Sequence, residues 1–174
     1  AFKDGDLHDE MPIAGLQVNT KSRWPSGCVK IGIVSGVLTA AGSSSSLTLG
    51  LGAGPMTAWL TTADLKATGV SASVGTSAYG SASWAAGGSD WDSPFIVWAE
   101  GPLMSSWIYR KQIGSDAHLV AWLEVRLWST GDVEVLPWIE NGYLTVSSPA
   151  AKPGDYTFTL GGTLRATPSG SNST

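Results

Sequence analysis

The chain has 174 residues, a formal net charge of −4, only 14% charged residues and nine tryptophans. Its length suits one domain with a sizeable core, and an acidic chain without a basic patch is not expected to bind nucleic acid. No apolar run is long enough to cross a membrane, so no membrane partner is expected, and the single Cys28 excludes an internal disulfide.

The first eleven residues, AFKDGDLHDEM, form a polar and acidic segment. Their carboxylates and His8 are typical of a solvated segment. Their spacing does not match a calcium-binding loop, which needs further oxygen ligands and a closing glutamate. We therefore predict no metal and no cofactor. The chain begins at Ala1 rather than at a methionine, which predicts a processed chain or a part of a longer one.

Two strands are predicted next, over residues 13–20 and 28–38, from alternating apolar and β-branched residues. The turn between them, RWPSG at 23–27, contains a proline that fixes one dihedral and a glycine that supplies a positive φ. After a Gly/Ser connector over 40–46, the alternation in LTLGL at 47–51 predicts a further half-buried strand.

One short helix is predicted over residues 61–68. Thr61 or Thr62 can cap it, Asp64 favours its first turn, and Gly69 can end it. Two short strands, over 70–75 and 79–84, are expected after the helix and enclose a turn.

The stretch 85–94, AAGGSDWDSP, is predicted to be the most flexible loop of the chain. It places Trp91 between Asp90 and Asp92. This arrangement fits a loop that contacts a ligand, and it also fits a tryptophan that pins the loop to the body of the domain. Both interpretations remain open at the level of sequence.

Further strands are predicted over 95–100 and 103–113, separated by Gly101-Pro102, and over 156–166. The chain as a whole is predicted to be one all-β domain over residues 1–166, an antiparallel sandwich or barrel of roughly eight to eleven strands with one short helix. Residues 167–174 are expected to form a flexible linker or tail, with further chain after it.

The longest element is a β-hairpin predicted over residues 118–141, with STG at 129–131 as its three-residue loop. The register that matches both faces puts Arg126 opposite Glu134 and Trp122 opposite Trp138. Pro137 cannot donate a backbone hydrogen bond, which predicts an edge or a bulge in the second arm.

One face of this hairpin is purely aliphatic and is predicted to be core, together with two isoleucines of the strand over 28–38. The side chains predicted to be buried are Leu119, Leu123, Val125, Leu127, Val133, Val135, Ile31 and Ile33.

The other face carries tryptophans beside charged residues. It fits a second, smaller core or a face covered by a neighbouring subunit, because large aromatic side chains are mostly buried. It also fits an exposed aromatic platform that stacks on sugar rings or on another protein. The candidate binding residues are Trp122, Trp128, Trp138, Arg126 and Glu134 on the hairpin, with Trp91, Asp90 and Asp92 on the loop.

The sequence favours a protein without catalytic activity, and we assign no catalytic residue. It has no G-x-S-x-G motif, no zinc-type Cys/His spacing and no phosphate-binding glycine loop. The one cluster with a base and cations for a β-eliminating lyase is His118 with Tyr109, Arg110 and Lys111, and such a cluster at a strand end is more often solvated or ion-paired.

Several segments resemble, in the same order, the β-rich N-terminal part of a family of phage and prophage tail-associated proteins. They are AFKDGDL, LQVNTKSRWPSGCVKIGIVSGVL, GPLMSSWIYRKQI and HLVAWLEVRLWSTGDVEVLPWIENG, and the likeness extends over nearly the whole chain, from Ala1 to about Ala166. The segment RWPSGCVKIGIV is also similar to the WPDGSVKW element in the N-terminal domain of exo-rhamnogalacturonan-lyase-like proteins. Ser26 and Cys28 stand where that element has aspartate and serine.

The resemblance implies a virion component at the tail, and otherwise an extracellular protein. The expected partners are other tail proteins, a second copy of this chain, or a host surface glycan. The function expected is a structural or adaptor module that mounts or displays receptor-binding parts. The likeness to lyase-like proteins keeps a carbohydrate-binding domain open, and any activity would be that of a polysaccharide lyase or depolymerase.

Overall fold

The computed structural model describes residues 1–7, 16–37, 58–142 and 150–162. The chain divides into two compact units: unit 1 holds 1–60, 99–105 and 128–130, and unit 2 holds 61–98, 106–127 and 131–174. Among the described residues the elements are β1 (Leu16–Arg23), β2 (Val29–Gly36), α1 (Thr62–Ala67), β3 (Ser71–Thr76), β4 (Gly80–Trp84), a 3₁₀ turn (Ser89–Asp92), β5 (Ile96–Ala99), β6 (Met104–Gln112), β7 (Leu119–Trp128), β8 (Val133–Asn141) and β9 (Thr157–Gly161).

The predicted fold class is confirmed: the described chain is mostly β, with 51% of its residues in strands, antiparallel sheets and one short α-helix. Of the two architectures expected, the barrel is wrong, because the sheets do not close. The predicted strand over 47–51, the linker over 167–174 and the outer ends of three predicted strands lie outside the described residues.

In unit 1, β1 and β2 form the predicted antiparallel hairpin. Its turn closes through hydrogen bonds between Trp24 and Cys28 and between Gly27 and Trp24, and Gly27 takes a φ of 91°. The core of this unit is a small cluster that also includes two residues of the N-terminal segment: Leu7, Leu16, Val18 and Val29, with Phe2 packed against them.

The prediction that Ile31 is buried is wrong, since 48% of it is exposed. Val29, two residues earlier, is fully buried. The pairing of β1 with β2 changes register on both sides of Ser22. Such an irregularity interrupts the period-2 alternation that would place Ile31 on the same face as Val29. Ile33 is half-buried rather than buried.

The buried amide of Gln17 ties β1 to the start of β6 within unit 1. Its Oε1 accepts hydrogen bonds from the backbone N–H groups of Leu103 (2.9 Å) and Met104 (3.0 Å), and its Nε2 donates to the Met104 carbonyl at 2.7 Å. Because each polar atom of the amide is satisfied, its burial carries little desolvation penalty.

In unit 2, the predicted helix is confirmed as α1. Thr61 is its N-cap: the Thr61 side chain accepts from the Asp64 N–H, and the Asp64 carboxylate accepts from the Thr61 N–H. This capping box satisfies two donors at the start of the helix. The hydrogen bonds from Thr61 also hold the pKa of the Asp64 carboxyl below its ordinary value.

A three-stranded antiparallel sheet in unit 2 has the order β4-β3-β9. Gly75 has no room for a Cβ, because the carbonyl of Gly80 and the backbone of Ser81 would lie within 2.7 Å of it. The two strands predicted over 70–75 and 79–84 are confirmed as β3 and β4.

The second sheet has four strands in the order β5-β6-β7-β8. The predicted register of the long hairpin is confirmed: Trp122 pairs with Trp138, and Arg126 pairs with Glu134. Gly131 takes a φ of 83° in the connecting turn. Pro137 lies in β8, which is an edge strand of this sheet among the described residues. An edge position was one of the two predicted from the missing N–H of Pro137.

The predicted core face of β7 is confirmed, because Leu119, Leu123, Val125 and Leu127 are buried. Val133 and Val135, on β8, are only half-buried. A strand at the edge of a sheet has a neighbour on one side alone, so its inward side chains are covered less completely than those of β7.

Unit 2 also contains an interior aromatic cluster, formed by Trp84 at the end of β4, Trp91 in the 3₁₀ turn and Tyr109 on β6. The ring centroids of Trp84 and Trp91 are 6.4 Å apart, and Tyr109 meets Trp91 edge to face at 5.1 Å and 90°. All three side chains are buried almost completely. The large aromatic residues therefore supply much of the apolar area that stabilises unit 2.

Candidate functional site

The sheet face opposite the aliphatic core carries a second group of rings, which we name the surface aromatic cluster: Phe95, Trp122 and Trp138. Trp122 and Trp138 stand opposite each other on β7 and β8, and Phe95 immediately precedes β5. Side chains alternate between the two faces of a strand. Because Leu123 and Val125 of β7 point into the core, Trp122 points to the opposite face.

The rings of this cluster are in direct contact. Trp122 and Trp138 are stacked, with centroids 5.7 Å apart and planes within 4° of parallel. Phe95 meets Trp122 edge to face, at 5.4 Å and 77°. Offset stacking and edge-to-face packing are the two favoured arrangements of aromatic pairs, so each ring limits the movement of its neighbour.

A cation occupies the corner between two of these rings. The guanidinium of Arg110, on β6, lies 4.0 Å from the centroid of Phe95 and 5.7 Å from that of Trp122. Both distances are within the range of cation–π attraction. Arg110 therefore fills this corner of the cluster and covers part of both rings.

The indole N–H of Trp122 also has a fixed partner. Its Nε1 donates to Oε2 of Glu140, on β8, at 2.9 Å. Because the acceptor is a carboxylate, this hydrogen bond is stronger than one between neutral groups. The ring of Trp122 is thus held by a stack on one side, an edge contact on another and a charged acceptor at its polar end.

The remaining charges of the face are paired with one another. The Arg126 guanidinium donates from Nε to Glu124 at 2.7 Å and from Nη1 to Glu134 at 3.5 Å, and Ser106 donates to Glu124 at 3.0 Å. The hydrogen bond to Glu124, more than the weaker attraction of Glu134, raises the pKa of Arg126 above its ordinary value. Arg126 therefore stays charged at every accessible pH.

Much of the surface aromatic cluster is open to solvent. Phe95 is 49% exposed and Trp138 is 42% exposed, while Trp122 is half-buried. Leu136, which shares a face of β8 with Trp138, is exposed as well. In the part of the chain that the structure describes, these rings do not close a second core. Trp128, the last residue of β7, is half-buried and belongs to unit 1.

The loop candidates are placed differently. Trp91 is fully buried, and its Nε1 donates to the Ala85 carbonyl at 2.9 Å. The Tyr109 hydroxyl donates to the carbonyl of Trp91, also at 2.9 Å. This packing matches the interpretation in which Trp91 pins the loop to the body of the unit, and it keeps the ring away from the surface.

The two carboxylates that flank Trp91 form ion pairs within unit 2. Asp90 lies 2.7 Å from Nζ of Lys111, and Asp92 lies 2.8 Å from Nζ of Lys66 on α1. All four side chains are partly exposed, so each pair contributes little stability by itself. Their role in this structure is to hold the two ends of the 3₁₀ turn against neighbouring elements.

The residues considered for a β-eliminating lyase do not form a site. Arg110 reaches Phe95, whereas the next residue, Lys111, reaches Asp90 on the other side of the sheet. Burial raises the pKa of the Tyr109 phenol well above its ordinary value, so it is not a base at neutral pH. His118 is buried.

No group of three or more histidine, cysteine, aspartate or glutamate side chains among the described residues is placed to hold a metal ion. No helix in that part of the chain is both long and apolar enough to cross a bilayer.

The sequence did not single out Phe95, Arg110, Leu136 or Glu140 as candidate binding residues, although the predicted strand puts Leu136 and Glu140 on the same face as Trp138. Glu140 had a usable signal, because in the predicted register it lies diagonally across from Trp122 on the same face. Phe95 and Arg110 had no such signal in the sequence, because their place beside Trp122 depends on the order β5-β6-β7 in the sheet.

Comparison of the chain with known protein families, with curated proteins and with solved structures finds no match.

Proposed function

We propose that this protein is a structural or adaptor module of a bacteriophage tail, which mounts or displays receptor-binding parts and uses the surface aromatic cluster as its contact surface. Other copies of the chain, other tail proteins and host surface glycans are the partners that such a surface could meet. The module acts by binding and carries no catalytic group in this proposal.

The observation that carries the proposal is an ordered aromatic surface that remains exposed among the described residues. Phe95 and Trp138 are exposed even though stacking and edge contacts with Trp122 fix their positions. Contiguous exposed apolar side chains on a soluble protein commonly mark an interaction site. Tryptophan and arginine, which both occur here, are also the residue types that most often dominate binding energy.

The tail assignment is supported by the resemblance of four segments to phage tail-associated proteins. Those segments contribute the β1–β2 hairpin, β6 and the β7–β8 hairpin, so Trp122, Trp138 and Arg110 of the exposed face lie within them, whereas Phe95 does not. Tail parts assemble by symmetry, and symmetric contacts use a surface of the same chain repeatedly.

The test is localisation on purified virus particles together with assembly of a variant. Antibodies against this protein should label the tail of particles from the source organism in electron micrographs. A chain with Trp122→Ala and Trp138→Ala should lose the contact made through the surface aromatic cluster, measured both as incorporation into particles and as adsorption of the particles to host cells, whereas Trp59→Ala, a change at another exposed tryptophan, should lose neither. Particles that lack the protein, or a double variant that is incorporated normally and adsorbs normally, would refute the proposal.

A further inference from the structure

Trp138 is the ring of the surface cluster that is best placed to meet a ligand. One side of its indole is covered by Trp122, at a centroid distance of 5.7 Å. The other side faces away from β7, and β8 is the last strand of the described sheet in that direction. The corner between Phe95 and Trp122 is already filled by Arg110, so the outer side of Trp138 is the accessible aromatic plane.

Polar acceptors lie beside this plane. Glu140 follows Trp138 by two residues and therefore shares its face of β8. Its Oε2 accepts the indole N–H of Trp122, and within the described residues Oε1 accepts no hydrogen bond. An aromatic plane next to a carboxylate oxygen matches the two sides of a pyranose ring, whose C–H face is apolar and whose hydroxyl groups donate hydrogen bonds.

The charge of the face selects among sugars. Glu134 and Glu140 lie on β8 on either side of Trp138. Of the two cations of the face, Arg126 is engaged by Glu124 and Glu134, and Arg110 lies over Phe95 on the far side of Trp122 from Trp138. The carboxylate or phosphate of an acidic sugar at Trp138 would meet the negative charge of Glu140 at close range. A neutral sugar meets no such repulsion.

The same charges disfavour a dry protein contact at this position. The buried centre of a protein interface is depleted in charged residues, and covering Glu140 without a new partner would leave a carboxylate oxygen desolvated. A polyhydroxylated ligand instead supplies donors to that oxygen. The chemistry around Trp138 therefore fits a glycan better than another protein surface.

We propose that the outer side of Trp138 stacks on a neutral pyranose of a polysaccharide, and that Glu140 accepts a hydrogen bond from one of its hydroxyl groups. This inference rests on the proposed function in one respect, namely that the surface aromatic cluster is the contact surface of the protein, and it assigns the class of partner.

The test is a titration of the purified chain with neutral oligomers of glucose, galactose and N-acetylglucosamine, and with oligogalacturonate as an acidic probe. Tryptophan fluorescence and calorimetry follow the binding. At least one neutral probe should bind with saturation, and oligogalacturonate should bind more weakly than that probe. Trp138→Ala should weaken binding at least about tenfold, the equivalent of 1.4 kcal/mol, whereas Trp59→Ala should leave it unchanged.

A second variant tests the selection by charge. Glu140→Gln keeps the shape of the side chain and an acceptor oxygen but removes the negative charge, so it should raise the affinity for oligogalacturonate relative to the neutral probe. Circular dichroism melts of all variants show whether each remains folded. Trp138→Phe, which keeps an aromatic plane, should retain part of the binding and thereby separates loss of stacking from loss of structure.

Three results would overturn the inference: no neutral probe binds, Trp138→Ala binds as well as the unmodified chain, or oligogalacturonate binds most tightly. If light scattering shows instead that Trp138→Ala abolishes self-association, the cluster is a protein contact, which overturns the glycan assignment and leaves the proposed tail module standing. If the protein binds sugar at Trp138 but is absent from the tail, the glycan assignment stands and the proposed tail module is refuted.

Discussion

The two aromatic clusters of unit 2 contain similar side chains, yet their environments differ. In the interior cluster, Trp91 and Tyr109 are almost fully buried, and their polar atoms bind backbone carbonyl groups. In the surface cluster, Trp138 is 42% exposed, and the neighbouring Trp122 binds a carboxylate. The rings of the surface cluster are only partly buried, so we expect them to contribute less to the free energy of unfolding than the rings of the interior cluster.

The strongest test of this difference is Trp91→Ala. Removal of a fully buried indole leaves a large cavity, and we expect a loss of about 3–5 kcal/mol in the free energy of unfolding. Chemical denaturation monitored by circular dichroism measures it. A loss under about 1 kcal/mol would mean that the interior cluster is not a packed core.

The aliphatic face of the hairpin offers a matched pair of leucines. Leu123→Ala should cost about 2–4 kcal/mol, because Leu123 is completely buried on β7. Leu136→Ala, a change of the same chemistry at an exposed position on β8, should cost less than about 1 kcal/mol. Equal losses for the two variants would mean that the faces of the hairpin are reversed.

Tyr109→Phe isolates the polar contact of the interior cluster. The ring remains, but the carbonyl of Trp91 loses its donor, so we expect a loss of about 1–2 kcal/mol. Tyr79→Phe is the control, because its hydroxyl makes a longer, exposed hydrogen bond to the Pro153 carbonyl, at 3.3 Å. The control should change the unfolding free energy by less than about 0.5 kcal/mol.

The same phenol makes stability sensitive to alkaline pH. Burial raises the pKa of Tyr109 in the folded state above that of the unfolded chain, which is about 10. Its contribution is therefore complete below pH 10 and is lost as the pH rises further, because the unfolded chain releases the proton first. Unfolding curves between pH 8 and 11 should show this decline, and the Tyr109→Phe variant should show a smaller one.

The smallest effect is expected at the surface. Trp138→Ala removes a cross-strand aromatic pair that is half open to water, and we expect a loss of about 0.5 kcal/mol, with an upper limit of about 1 kcal/mol. A loss as large as that of Trp91→Ala would make Trp138 a structural residue and would remove the distinction between the two clusters.

The hairpin was predictable because its information is local. Each arm carries a complete aliphatic face, Trp122 and Trp138 fix the register, and Gly131 suits the turn. The neighbours of that hairpin were not predictable, since the position of Arg110 over Phe95 depends on strands paired across the sheet. The two environments of Trp91 and Trp138 were equally open in the sequence, because a loop tryptophan and a strand tryptophan can each face either way.

Two further features depend on contacts that no short segment contains. The burial of Gln17 is explained by backbone groups of Leu103 and Met104, more than eighty positions away. The exposure of Ile31 follows from a change of register in its pairing with β1, and strict alternation along β2 gives no sign of it. Irregular pairing of this kind is where period-2 reasoning stops being reliable.

The parallel stack of Trp122 and Trp138 also gives the protein an intrinsic optical signal. Two indoles held this close couple their electronic transitions, and we expect the coupled pair to contribute a positive and a negative band to the circular dichroism spectrum. The tilted pair of Trp84 and Trp91 adds a second contribution, which Trp138→Ala leaves in place. The difference spectrum of that variant therefore reports the hairpin register in solution, and any molecule that docks on the outer indole can be followed without a label.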